Sequence, residues 1–96
     1  MIIIGGTIEF ATDNEEMLFN QLRQMIADSQ AETGCLAYEF SRDLSAPNIL
    51  HLYEVWESAE ALKIHGESAH MTAFKEKAFP SFVDTDIKRY DAELSV

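Results

Sequence analysis

The sequence predicts a single α+β domain with the ferredoxin-like split order β-α-β-β-α-β, an antiparallel sheet carrying its helices on one face. Three observations lead there. A chain of 96 residues is the size of one domain, so positions 1–96 are taken as one unit. With 47% hydrophobic and 25% charged residues, four Gly and two Pro, the composition is that of a folded globule. The apolar period also changes along the chain from strand to helix, to two strands, to helix and to strand, with no internal repeat.

Residues 2–10 (IIIGGTIEF) are β-branched and apolar without a helical period, and predict a strand buried on much of both faces. Thr12-Asp13-Asn14-Glu15 has the capping-box pattern, and Leu18, Leu22, Met25, Ile26 and Ser29 recur at helical spacing until Gly34. Residues 35–43 and 49–57 return to strand chemistry across Ser45-Ala46-Pro47-Asn48, which makes a hairpin. Ser58 is placed to cap a short helix broken at Gly66. Ser68 is placed to cap a second one that carries Met71, Phe74 and Ala78 as far as Pro80. A last strand is expected over 85–94.

On the hairpin, strand parity puts Leu36, Tyr38 and Phe40 on one face. It likewise groups Leu50, Leu52, Glu54 and Trp56, with His51, Tyr53 and Val55 opposite. Residues 49–57 thus look apolar on both sides while helices cover only one. A second copy packing sheet to sheet is the expected remedy, so a homodimer is expected.

Composition narrows the partners. Seven Lys plus Arg against seventeen Asp plus Glu give a net charge of −10, with no basic stripe, so nucleic acid and anionic membranes are not expected to bind. The opening Ile2-Ile3-Ile4 lacks a basic flank and is interrupted by Glu9, so neither an export signal nor a membrane span is expected. The one cysteine, Cys35, fits a reducing compartment, and the expected location is cytoplasmic.

Glu54 stands out among the candidate site residues, because a carboxylate sharing a strand face with Leu52 and Trp56 needs a partner or a proton. It reads either as a pocket base with a raised pKa or as a structural acceptor. Trp56 offers a flat wall and one donor for an aromatic ligand, or simply core. His65 ends one short helix and His70 lies in the first turn of the next, so both are expected near one rim, as base candidates or as caps. Their spacing is not that of two ligands on one helix face, and no metal site is expected. Gly5-Gly6 does not open a helix, so it predicts a bulge or a close approach of strands and not a phosphate loop. His51 has the wrong parity for the Trp56 face and reads as structural.

Glu54-x-Trp56-x-Ser58, then Ala61-Leu62, His65 and Ser68-x-His70, with Gly34-Cys35 opening the second strand, resemble the antibiotic biosynthesis monooxygenase family. The resemblance implies a dimeric α+β barrel with a hydrophobic pocket between sheet and helices. It further implies oxygenation by dioxygen, without cofactor, of a small quinol-like or polyketide-type aromatic substrate. Glu54, His65 and His70 would be the catalytic residues, with Trp56, Tyr38 and Phe74 against the substrate. Two alternatives stay open: a dimeric small-ligand binder without activity, and a haem-degrading relative. The second is disfavoured, because Lys75 falls where that type carries its iron-binding histidine.

Overall fold

The structure, a computed structural model, describes residues 1–95. Its elements are β1 (Ile2–Phe10), a 3-10 turn (Thr12–Asn14), α1 (Glu15–Gln30), β2 (Cys35–Arg42), β3 (Ile49–Trp56), α2 (Ala59–Gly66), α3 (Ala69–Ala78), a second 3-10 turn (Phe79–Ser81) and β4 (Phe82–Asp91). The strands form one sheet in the order β2-β3-β1-β4, with every neighbouring pair antiparallel. This is the ferredoxin-like topology, with the helices on one face of the sheet.

Register sets what the helices meet. Tyr38, Glu54, Ile4 and Arg89 form one row across β2, β3, β1 and β4, and Phe40, Leu52, Gly6 and Ile87 form the next. Ile2, Ile8 and Phe10 of β1, with Leu50 and Trp56 of β3, are buried against Leu18, Leu22 and Met25, the apolar stripe of α1. Beyond the sheet, His51, Tyr53 and Glu39 are exposed, and β4 is exposed along nearly all its length. Among the described residues, no helix is long and apolar enough to cross a membrane.

Four local expectations change. The capping box does not form: Thr12–Asn14 winds as a 3-10 turn, so α1 starts at Glu15 with Asn14 as its N-cap and no side-chain cap bond. Glu15 and Glu16 in the first turn favour the helix dipole instead. Leu36 does not share the face of Tyr38 and Phe40, because a register shift between Cys35 and Ala37 turns it outward, where it is exposed. The outer side of β3 is mixed, not apolar throughout: Val55 is buried while His51 and Tyr53 are exposed. Finally, β4 spans Phe82–Asp91 and not 85–94, because its bounds follow pairing with β1, where Phe10 meets Phe82 past a bulge. Its charged residues are those of an edge strand.

Gly6 is a point of close approach. It has φ 157°, and a Cβ there would lie 2.0 Å from the Asp86 carbonyl oxygen, so β1 and β4 can approach only because no side chain stands between them.

Candidate functional site

A cavity of about 570 Å³ lies between the helix-facing side of the sheet and helices α2 and α3. Such a volume suits a small organic ligand. Ile4, Ile8 and Leu52 come from the strands, Phe40 and Phe74 from β2 and α3, and Phe82 from the start of β4. Phe74 meets Phe40 at 6.3 Å and Phe82 at 6.2 Å between ring centroids, so one side of the cavity is a run of aromatic rings. The ionisable side chains lining this apolar space are Tyr38, Glu54 and His65.

Glu54 enters the cavity from the centre of β3, with Tyr38 and Ile4 as its cross-strand neighbours, and is 7% exposed. Its Oε1 accepts a hydrogen bond from Trp56 Nε1 at 2.9 Å. Burial pushes the Glu54 carboxyl above the ordinary glutamate range; the Trp56 N–H and the His65 ring pull it back, and Glu32 adds to the rise. Burial, reinforced by Glu54, likewise pushes the Tyr38 phenol far above its usual range, so Tyr38 is a neutral hydroxyl at physiological pH.

His65 closes α2 and is 4% exposed. Its ring lies 4.5 Å from the Trp56 ring and 5.5 Å from Tyr38, which fixes its plane. Nδ1 is 2.6 Å from Glu32 Oε2, and Nε2 makes no hydrogen bond among the described residues. His70, from the first turn of α3, reaches the same oxygen through Nε2 at 2.9 Å. One carboxylate oxygen therefore receives two imidazoles from two helices.

Local structure explains how they meet. Ser58 Oγ caps α2 by accepting from the Ala61 N–H, and Ser68 Oγ caps α3 by accepting from the Met71 N–H. The Ser68 hydroxyl also donates to the His65 carbonyl at 2.7 Å, tying the end of one helix to the start of the next. Glu32 sits in the turn between α1 and β2, where Gly34 has φ 86°. A Cβ on Gly34 would lie 2.7 Å from the Ala61 side chain, so glycine lets this turn press onto α2 and brings Glu32 to the histidines.

The expected site residues divide accordingly. Glu54, Tyr38, His65 and Phe74 line the cavity. Trp56 does not: it is 0% exposed and stands behind the lining, bonded to Glu54 and stacked on His65, because the helices close over the end of β3. His70 borders a separate groove between α1 and α3, with Asp28 and Lys77. His51 lies on the other side of the sheet, 2.7 Å from Asp43 at the surface. Sequence reasoning missed Glu32, which lies 33 and 38 positions from its two partners. Its one local signal is an acidic residue two places before a turn glycine.

The model for the family described as antibiotic biosynthesis monooxygenase matches residues 1–77. An uncharacterized protein of Synechocystis sp., sll1783, is 30% identical over 77 residues, which are 80% of this chain and 52% of that protein. The chain thus spans about half the length of the curated relative it matches. Among solved structures, a candidate antibiotic biosynthesis monooxygenase from Deinococcus radiodurans is 26% identical, covers 100% of this chain and 96% of its own, and superposes with a TM-score of 0.89. A similarly described protein from Caulobacter crescentus CB15 is 22% identical, with coverage of 97% and 90% and a TM-score of 0.90. The matched residues run from β1 into α3 and take in the cavity wall except the part that β4 and the turn before it supply, together with Glu54 and the whole Glu32, His65 and His70 cluster, so the chain belongs to the antibiotic biosynthesis monooxygenase family.

Proposed function

We propose that the chain is a cofactor-independent monooxygenase acting on a small electron-rich aromatic substrate of quinol or polyketide type. The observation that supports this best is His65: it lines an apolar cavity of about 570 Å³ with a carboxylate bonded to its Nδ1. Glu32 accepts from Nδ1–H, which leaves the lone pair of a neutral His65 on Nε2, the nitrogen available to a ligand. In that tautomer His65 is a base whose ring orientation is fixed by the carboxylate. The aromatic side of the cavity orients the substrate ring and excludes water.

His65 takes a proton from a phenol or from a ring CH₂ next to a carbonyl. The resulting anion reduces dioxygen and forms a carbon–oxygen bond. For a CH₂ group, one oxygen atom ends as the new carbonyl and the other leaves as water with both hydrogens; for a hydroquinone, one oxygen replaces a ring hydrogen as a hydroxyl while the ring becomes the quinone, and the other leaves as water. The substrate supplies all four electrons, so no external reductant is required. The Tyr38 hydroxyl, neutral at physiological pH, is the group that can donate to a developing oxyanion, with Glu54 as its cross-strand neighbour on the cavity wall. In this proposal the working unit is a homodimer joined through the sheet face that carries Ile3, Tyr53 and Val55, and the setting is the cytoplasm.

Oxygen uptake by chelator-treated, flavin-free protein on a panel of hydroquinones and anthrones tests the proposal, with heat-denatured protein as the background. At least one substrate should be consumed faster than background by ~10² or more. Glu32→Gln should lower kcat, and Phe74→Ala should chiefly raise KM. A panel with no turnover above denatured protein would leave a dimeric ligand binder as the better description. Sedimentation equilibrium at micromolar concentration tests the dimer, which a strictly monomeric protein would exclude.

A further inference from the structure

We propose that Glu32, His65 and His70 form a binding site for one divalent transition ion of the zinc class, at the junction of the α1–β2 turn with α2 and α3. Each offers one ligand atom, and these atoms all lie within 4.8 Å of one another. Two imidazoles and one carboxylate are the donor set borderline divalent ions favour, and three protein ligands leave positions for water or substrate.

The cluster is pre-assembled. His65 is held between the Trp56 and Tyr38 rings, and its helix end is tied to α3 by the Ser68 hydroxyl. The Ser68 cap fixes the turn that carries His70, and the close packing at Gly34 fixes Glu32. The 2.6 and 2.9 Å contacts to Glu32 Oε2 are hydrogen-bond distances. Ligand bonds of about 2.1 Å place neighbouring ligand atoms about 3.0 Å apart at right angles and about 3.4 Å apart in a tetrahedron. Accepting an ion therefore needs the shorter contact to open by about 0.4–0.8 Å and the three ligand atoms, which lie within 4.8 Å of one another, to settle at that common spacing, while each neutral ring moves its proton to the other nitrogen. His70 is part-exposed and borders a groove that also holds Asp28 and Gln24, which gives an ion a route from solvent past an anionic side chain; Lys77 on the same groove opposes it. The net charge of −10 favours cation approach overall.

Occupancy has a chemical consequence for the cavity. An ion on Nδ1 of His65 puts the ring proton on Nε2, so the ligand-facing nitrogen turns from acceptor to donor. The loaded protein would then lack the base invoked above, a consequence that rests on the proposed function, whereas ion binding itself does not.

The experiment is a titration of the full chain, stripped by chelator, with Co²⁺ followed by its visible ligand-field bands and with Zn²⁺ followed by calorimetry. One ion per chain is expected, with His70→Ala and Glu32→Ala each weakening binding by ~100-fold or more and His51→Ala leaving it unchanged. His70 is the more exposed of the two histidines, so His70→Ala decides the matter if Glu32→Ala fails to fold. Absence of binding, or binding that His70→Ala leaves intact, overturns the site. Binding of Zn²⁺ by a protein that, when free of metal, oxidises no substrate overturns the proposed function alone.

Discussion

Glu54 and Glu32 are two largely buried carboxylates near one histidine, and they are held in opposite ways. Glu54 stands on the middle of a strand, faces an apolar cavity and receives one protein N–H, from Trp56. Glu32 stands in a turn, and one of its oxygens receives both His65 and His70. Desolvation therefore dominates at Glu54, and its carboxyl holds its proton more tightly than usual. Glu32 instead organises two imidazoles by hydrogen bonding. Burial alone does not assign a carboxylate its chemistry; the number of donors aimed at it does.

The contrast is sharpest in stability. Glu32→Ala leaves two ring N–H groups without an acceptor in a part-buried site and should cost about 2–4 kcal/mol, read by denaturant titration. Glu54→Ala loses one bond but relieves the burial of a carboxyl, so its cost should stay near 1 kcal/mol. Equal losses for the two variants would erase the distinction.

Next in size is Gly34→Ala. It places a side chain at positive φ and against Ala61, and should cost about 1–3 kcal/mol while loosening the turn that carries Glu32. Thermal unfolding measures the cost. Ring-proton NMR of His65 and His70 should shift with it, and unchanged spectra would mean that the turn does not hold the cluster.

A pH series probes Glu54 directly. Its folded pKa is raised, so between the ordinary glutamate value and the raised one the folded state binds more protons than the unfolded state. Its contribution to stability is therefore fully present below the unfolded value and is lost as pH rises through the folded one. Wild type should lose stability relative to Glu54→Gln across that interval and run parallel to it on either side. Parallel curves throughout would show that the environment of Glu54 is ordinary.

The smallest effect belongs to the control pair on the far side of the sheet. His51→Ala removes the surface contact with Asp43 and should change stability by less than about 0.5 kcal/mol, with no effect on oxygen uptake. A larger effect would mean that the exposed face of the sheet takes part in the site.

Half of this comparison was legible in the sequence. Strand parity alone placed Glu54 beside Leu52 and Trp56 on the face that became the cavity floor, because a pleated strand alternates its side chains whatever surrounds it. Ser58 and Ser68 were legible as caps for the same reason: a cap is an interaction across three residues. The capping box at Thr12 was legible too but did not form, since a 3-10 turn compatible with the same residues moved the helix start to Glu15. Trp56 was correctly placed on the buried face, yet nothing in its spacing shows that the helices close over it and separate it from the ligand space.

The order of strands and helices, the shared face of Leu50, Leu52, Glu54 and Trp56 and the residues that start α2 and α3 can be read from the chain alone, because all of these follow from periods of two to four residues. Packing at long range brings Glu32 to His65 and His70, and sets His65 against the cavity while His70 lines a groove beside it. Those contacts join three elements across 33 and 38 positions. They depend on how closely a glycine turn packs against a helix end, a distance that no local pattern encodes.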